Sequence, residues 1–146
     1  NQKKIIENII LIDKFFKNFL NKKPKIAILG LNPHNYYSKN HYKEKKIINN
    51  AVLKIRKNKI NIVGPISPDT SFMIAKKYKF DVIIGMYHDQ VLTPFKAVYG
   101  FKAINITLGL PFVRISPDHG VAENITGKGI ASPVSLIESI KFFNYL

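Results

Sequence analysis

Apolar side chains recur at Ile5, Ile6, Ile9, Ile12, Phe16, Phe19 and Leu20, near one stripe of a 3.6-residue period. The pattern predicts an amphipathic helix over 3–22 that Pro24 ends. The period then changes. "KIAILGL" reads as a short buried strand that stops at "NPH", because Pro33 cannot continue a ladder. The polar segment "NYYSKNHYKEKK" leads into a second amphipathic helix ending near Lys57. "INIVGP" is another short strand, and "SPDTSFMIAKKYK" a helix with Ser67 or Asp69 available as N-cap. "FDVIIGMY" is the clearest strand, since its apolar run lacks alternation, as in a strand buried on both faces of a parallel sheet. "KAINITLGLPFVRIS" holds one or two more strands. After the small-residue stretch "PDHGVAENITGKGIA" comes a last helix, "SPVSLIESIKFFNYL". Strands alternating with helices imply a layered α/β domain. No repeat, low-complexity tract or linker interrupts it, so residues 1–146 are expected to form a single α/β segment.

Composition narrows the chemistry. The chain has 146 residues, of which 46% are hydrophobic and 12% aromatic, enough for a real core. It has no cysteine, which excludes disulfides, thiolate zinc sites and a cysteine nucleophile. Any metal must be held by His, Asp, Glu or water. The apolar runs are far shorter than the roughly 20 residues that span a bilayer, and the N-terminus lacks a signal-peptide pattern. A cytoplasmic location without membrane partners is expected, and the opening Asn1 suggests a chain cut from a longer polypeptide.

The net charge of +14 raises the question of nucleic acid. Its distribution answers it: residues 1–60 carry a net +12, residues 61–146 only +2. The excess is mostly Lys interleaved with Ile and Leu at helical spacing, the pattern of a solvated helix face. No RNP, helix-turn-helix or zinc-finger pattern accompanies it, so no nucleic-acid partner is expected.

There are four histidines. His34 and His88 each follow an apolar strand, at the carboxyl ends where open α/β sheets bind ligands, although 54 positions separate them. A neutral imidazole there is a metal ligand or a hydrogen-bonded structural residue. Asp89 is an acceptor for the His88 ring, a base, or a helix cap; Gln90 reads as an ordinary turn residue. Lys96, Asn105 and Arg114 are embedded in "PFKAV", "AINIT" and "PFVRIS". A cation in apolar surroundings must bind an anion or pair with an acid such as Asp69, Asp89 or Asp118. "DHGVAENITGKGIA" lacks the GxGxxG spacing of a nucleotide loop. Its Gly120, Gly127 and Gly129 let a ligand approach the backbone or simply make turns.

Together "LGLNPH", "GPISPDTSF", "MYHDQVLTPFK" and "INITLGLPFVRISPDHGVAENITGKG" resemble the C-terminal part of the 4-hydroxythreonine-4-phosphate dehydrogenase family of vitamin B6 biosynthesis. The likeness spans roughly residues 26–140, about the second half of a family member. It implies the layered α/β/α fold of isocitrate and isopropylmalate dehydrogenases and a homodimer with its active site at the interface. It implies that His34 and His88 are two of three ligands to a divalent metal (zinc, magnesium or cobalt). The third histidine lies in the family's N-terminal half, so the isolated chain is expected to be inactive. By the same resemblance Lys96, Asn105 and Arg114 bind substrate, Asp69 and Asp89 are acids near it, and Asp69, Asp89 and Lys96 are the catalytic candidates. "DHGVAENITGKGIA" is similar to the loop that holds the adenosine of NAD, which assigns His119, Gly120, Asn124 and Gly127 to the cofactor.

The implied reaction is NAD-dependent oxidation and decarboxylation of 4-phosphooxy-L-threonine. The alternatives are a relative acting on phosphorylated threonate or erythronate, or on an aromatic cis-dihydrodiol, against which Lys96 and Arg114 favour a charged substrate; a non-catalytic ligand-binding remnant of the fold; and a basic nucleic-acid binder. One departure from the family stands out. After "LNPH" most members continue with a small, Gly-rich acidic stretch, whereas this chain has the bulky basic "NYYSKNHYKEKK". His41 falls inside it and is expected to be a surface residue without a role.

Overall fold

The computed structural model describes residues 1–36 and 42–146. His41 and the middle of the atypical basic stretch lie outside the described residues. The chain divides into two compact units, Asn1–Pro94 and Phe95–Leu146. The boundary falls inside a helix rather than in a linker.

The first unit runs α1 (Gln2–Phe19), β1 (Ile26–Leu29), α2 (Tyr42–Lys57), β2 (Ile62–Ile66), α3 (Pro68–Tyr78), β3 (Val82–Ile84) and the start of α4 (His88–Tyr99). Its three strands are parallel, in the order β2-β1-β3. All four residues of β1 are fully buried. Successive strand side chains point to opposite faces, so a strand buried throughout is covered on both sides. That is why "KIAILGL" carries no polar alternation. Ile26 and Ile28 join Ile9 of α1 and Ile48, Val52 and Ile55 of α2 in one cluster. The α2 face of Ile48, Ala51, Val52 and Ile55 follows helical spacing and is buried. Burying each such aliphatic side chain contributes about 1.5–3 kcal/mol.

Two details shape this sheet. Pairing of β1 with β2 shifts between Ala27 and Leu29. Opposite the shift stands Gly64, at φ +131°, where a Cβ would collide with the Ile28 carbonyl. At the opposite edge, Asp81 receives the Lys22 ammonium at 2.5 Å and the Lys25 backbone N–H at 2.8 Å. Burial opposes its ionisation, but the Lys22 and Lys25 contacts prevail and hold its carboxyl below the usual range.

The second unit holds the end of α4, a 3-10 turn at Gly100–Lys102, β4 (Ile104–Thr107), β5 (Arg114–Pro117), a 3-10 turn at Glu123–Ile125 and α5 (Val134–Tyr145). β4 and β5 form an antiparallel pair in which Asn105 faces Ser116 and Thr107 faces Arg114. Asn105, Thr107, Arg114 and Ser116 therefore share one face of the hairpin. α5 packs on the hairpin through serines: Ser135 Oγ donates to the Ala103 carbonyl and accepts from the Asp118 N–H at 2.9 Å. Leu136, Ile140 and Phe143 of α5 are exposed. Among the described residues, no helix is long and apolar enough to cross a membrane.

Candidate functional site

Parallel strands bring their carboxyl ends to one edge of a sheet, and here that edge carries His34 after β1, Ser67 and Asp69 after β2, and His88, Asp89 and Gln90 after β3. The β1 exit is tightly tied. Asn32 accepts from the Tyr36 N–H at 2.9 Å, closing a turn around Pro33 and His34. Asn35 donates to the Pro65 carbonyl at 2.7 Å, linking this turn to β2. Gly30 packs against it, and a Cβ there would come within 2.5 Å of Asn35 Oδ1, so any larger residue would have to displace the Asn35 side chain.

Ser67 occupies the N-cap position of α3 but makes no capping bond. Its hydroxyl reaches two acceptors instead, the Pro33 carbonyl at 2.6 Å and Asp69 Oδ1 at 2.5 Å. The capping role expected for Ser67 or Asp69 is thus replaced by bonds back to the β1 exit. Asp69 Oδ2 lies 2.7 Å from His34 Nδ1. The Ser67 hydroxyl first, then the His34 ring, hold the Asp69 carboxyl below its ordinary range, outweighing the opposing effect of burial.

His88 begins α4, and its Nδ1 lies 2.7 Å from Asp89 Oδ1. Both histidines thus have a carboxylate at Nδ1, but Asp69 is partly shielded and anchored by Ser67, whereas Asp89 is the next residue in the chain and largely exposed. A carboxylate accepting at Nδ1 fixes the proton there and leaves the Nε2 lone pair for a ligand. Both rings are accessible, with His34 and His88 side chains 74% and 75% exposed. This donor set suits two positions of a divalent metal. It does not complete one, because no group of three or more His, Cys, Asp or Glu gathers as a metal cluster among the described residues.

Gln90 was not recognisable from sequence, where it read as a turn residue. Its Oε1 accepts from the N–H groups of Met86 and Tyr87, and its Nε2 donates to the carbonyls of Gly30 and Leu31. No local pattern signals a side chain that bonds backbone sixty residues earlier.

The second unit carries the remaining expected residues. Lys96, Asn105 and Arg114 are not buried cations or amides: Lys96 is half-exposed, Asn105 and Arg114 exposed. Several of their apolar sequence neighbours are themselves exposed, Val98 and Phe112 among them, which corrects the expectation of a desolvated environment. Lys96 Nζ pairs with Asp118 Oδ2 at 3.4 Å, and Arg114 donates to Thr107 Oγ1 at 2.8 Å. His119 Nδ1 lies 3.2 Å from the Gly120 carbonyl. Gly120, Asn124 and Gly127 lie in the exposed segment after β5, and Gly127 has φ +75°. Nothing lies within 4 Å of a Cβ built at Gly120 or Gly127.

A parallel α/β sheet with carboxylate-held imidazoles at neighbouring strand ends defines an α/β protein with a histidine-bearing sheet edge. The chain belongs to the pyridoxal phosphate biosynthetic protein PdxA family, whose pattern matches residues 1–143. A 4-hydroxythreonine-4-phosphate dehydrogenase of Sulfurihydrogenibium sp. is 50% identical over 143 residues, covering 96% of this chain and 44% of that protein. One from Desulforapulum autotrophicum is 43% identical, covering 97% of this chain and 42% of that protein. The crystal structure of 4-hydroxythreonine-4-phosphate dehydrogenase from Klebsiella pneumoniae superposes with a TM-score of 0.80 at 36% identity, covering 97% of this chain and 43% of that one. The chain thus spans less than half the length of these relatives, and the fold expected from the resemblance is the one found.

Proposed function

We propose that this chain forms part of an NAD-dependent, divalent-metal-assisted dehydrogenase that oxidises and decarboxylates 4-phosphooxy-L-threonine. The observation that carries the reading is the pair of carboxylate-held rings, His34 with Asp69 and His88 with Asp89, at the ends of adjacent parallel strands. His34 and His88 would hold the metal through Nε2, with the remaining ligands supplied from outside this chain. When bound, the metal supplies positive charge that acidifies a coordinated hydroxyl, and NAD accepts the hydride.

Asp69 keeps the His34 ring in its ligating tautomer. Asp89 does the same for His88 and is assigned as acceptor of the hydroxyl proton. Loss of that proton and of the hydride leaves a ketone β to the substrate carboxylate. The electron pair of the breaking carbon–carbon bond moves into this ketone as carbon dioxide departs, and Lys96 is assigned to return a proton. Arg114 can meet a phosphate or carboxylate with two parallel N–H bonds, and Asn105 shares its hairpin face. His119, Gly120, Asn124 and Gly127 are assigned to the adenosine of NAD, and a homodimer is the assembly in which the site is completed.

The test is an NADH-formation assay on the product of the full reading frame, with 4-phosphooxy-L-threonine beside phosphorylated threonate and erythronate. Preferred turnover of the first, abolished by His34→Ala and by His88→Ala, supports the reading. Preference for a threonate or erythronate phosphate would transfer it to that substrate, and no turnover of any of them would remove it.

A further inference from the structure

Every hydrogen-bonding position that Gln90 needs at the sheet edge is used. Oε1 accepts from Met86 N–H at 2.7 Å and Tyr87 N–H at 3.3 Å. Nε2 donates to the carbonyls of Gly30 and Leu31, both at 3.1 Å. The first two groups belong to the segment leaving β3, the second two to the segment leaving β1. Ladder pairing between these strands ends at Ile28 and Ile84. Beyond that point one part-buried carboxamide satisfies four backbone groups that the sheet leaves unpaired.

The chemistry requires a primary amide. A carboxylate of the same length has acceptors for Met86 and Tyr87 but nothing to donate to Gly30 and Leu31. An aliphatic chain has neither. The position matters as much as the bonds, because His34 stands three residues beyond Leu31 and His88 directly follows Tyr87. Each imidazole is carried by a backbone segment whose origin is held by one end of the same side chain.

We infer that Gln90 is a positioning residue: by joining the exits of β1 and β3 it sets the separation of His34 and His88, and so their ability to share one cation. This rests on the reading of those histidines as joint ligands. Gln90 itself offers the cation nothing, as its amide is fully engaged with backbone.

The test is a Zn²⁺ titration of the full chain against a chromophoric chelator, for Gln90→Glu and Gln90→Met, each with and without His34→Ala. Gln90→Glu keeps two of the four bonds and serves if Gln90→Met does not fold. With both histidines present, each substitution should weaken Zn²⁺ binding roughly 10- to 100-fold, the range seen when groups that orient metal ligands are lost. In the His34→Ala background the same substitutions should change the residual affinity by less than about twofold, because the His34–His88 separation no longer bears on binding. Equal losses in both backgrounds would indicate a general structural role and overturn the inference. So would unchanged affinity in the Gln90 variants when His34→Ala alone weakens binding. If His34→Ala alone changes nothing, the joint-ligand reading fails, and the inference fails with it.

Discussion

His34 Nδ1 and Asp69 Oδ2 lie 2.7 Å apart across 35 residues of chain. The acid comes from the first turn of α3 and the ring from the turn after β1, so the contact joins the exits of two neighbouring strands. It fixes the ring tautomer and depends on a charged acceptor. Asp69→Asn should therefore weaken Zn²⁺ binding by roughly 10- to 100-fold without unfolding the protein. Zn²⁺ titration beside a thermal melt checks this; unchanged affinity would show that Asp69 does not serve the ring.

Asp81 has its folded-state pKa lowered by the Lys22 and Lys25 contacts, which overcome burial. Between the folded and unfolded pKa values the unfolded chain binds more protons, so stability rises with pH through that window. The contribution is fully present above the unfolded value, near pH 4, and disappears as pH falls through the lower folded value. Urea unfolding followed from neutral pH into acid should show a shallower acid limb in Asp81→Asn than in the wild type.

Ile28 is fully buried in the central strand, on the face that meets α1 and α2. Ile28→Ala should cost about 2–5 kcal/mol in urea unfolding, through lost burial and the cavity left behind. A loss well under 1 kcal/mol would mean the core closes around the gap.

Gly30 has no room for a methyl group because of Asn35 Oδ1. Gly30→Ala should destabilise by about 1–3 kcal/mol. Asn35 has φ +49°, so Asn35→Gly removes the obstructing side chain without backbone strain. In that background Gly30→Ala should cost much less, a non-additivity that a double-mutant cycle in urea would read.

Much of this was legible in the letters. The unbroken apolar run "KIAILGL" became the fully buried β1, and the Ile48, Val52 and Ile55 spacing became the inner face of α2, because burial imposes those periods directly. "FDVIIGMY" did become a strand, β3, but as a three-residue edge strand only half buried, so the expectation of burial on both faces is corrected. His34 and His88 followed apolar runs and do stand at one sheet edge. Three things were hidden. Strand order β2-β1-β3 depends on long-range packing, so nothing local announced that Asp69 would meet His34. Gln90 bonds backbone atoms, which leave no trace in the sequence. Lys96 and Arg114 sit among apolar neighbours in sequence yet are solvent-accessible, because apolar letters do not by themselves report burial: Val98 and Phe112 beside them are exposed too.

The central claim is that His34 and His88 bind one cation through Nε2. Long-range ¹H–¹⁵N correlation of the imidazole rings during a Zn²⁺ titration reads each ring nitrogen separately. The expected result is that Nε2 of both rings shifts together and saturates at one equivalent, while Nδ1 of each stays protonated. Movement of one ring alone, different stoichiometries for the two, or coordination through Nδ1 would contradict it.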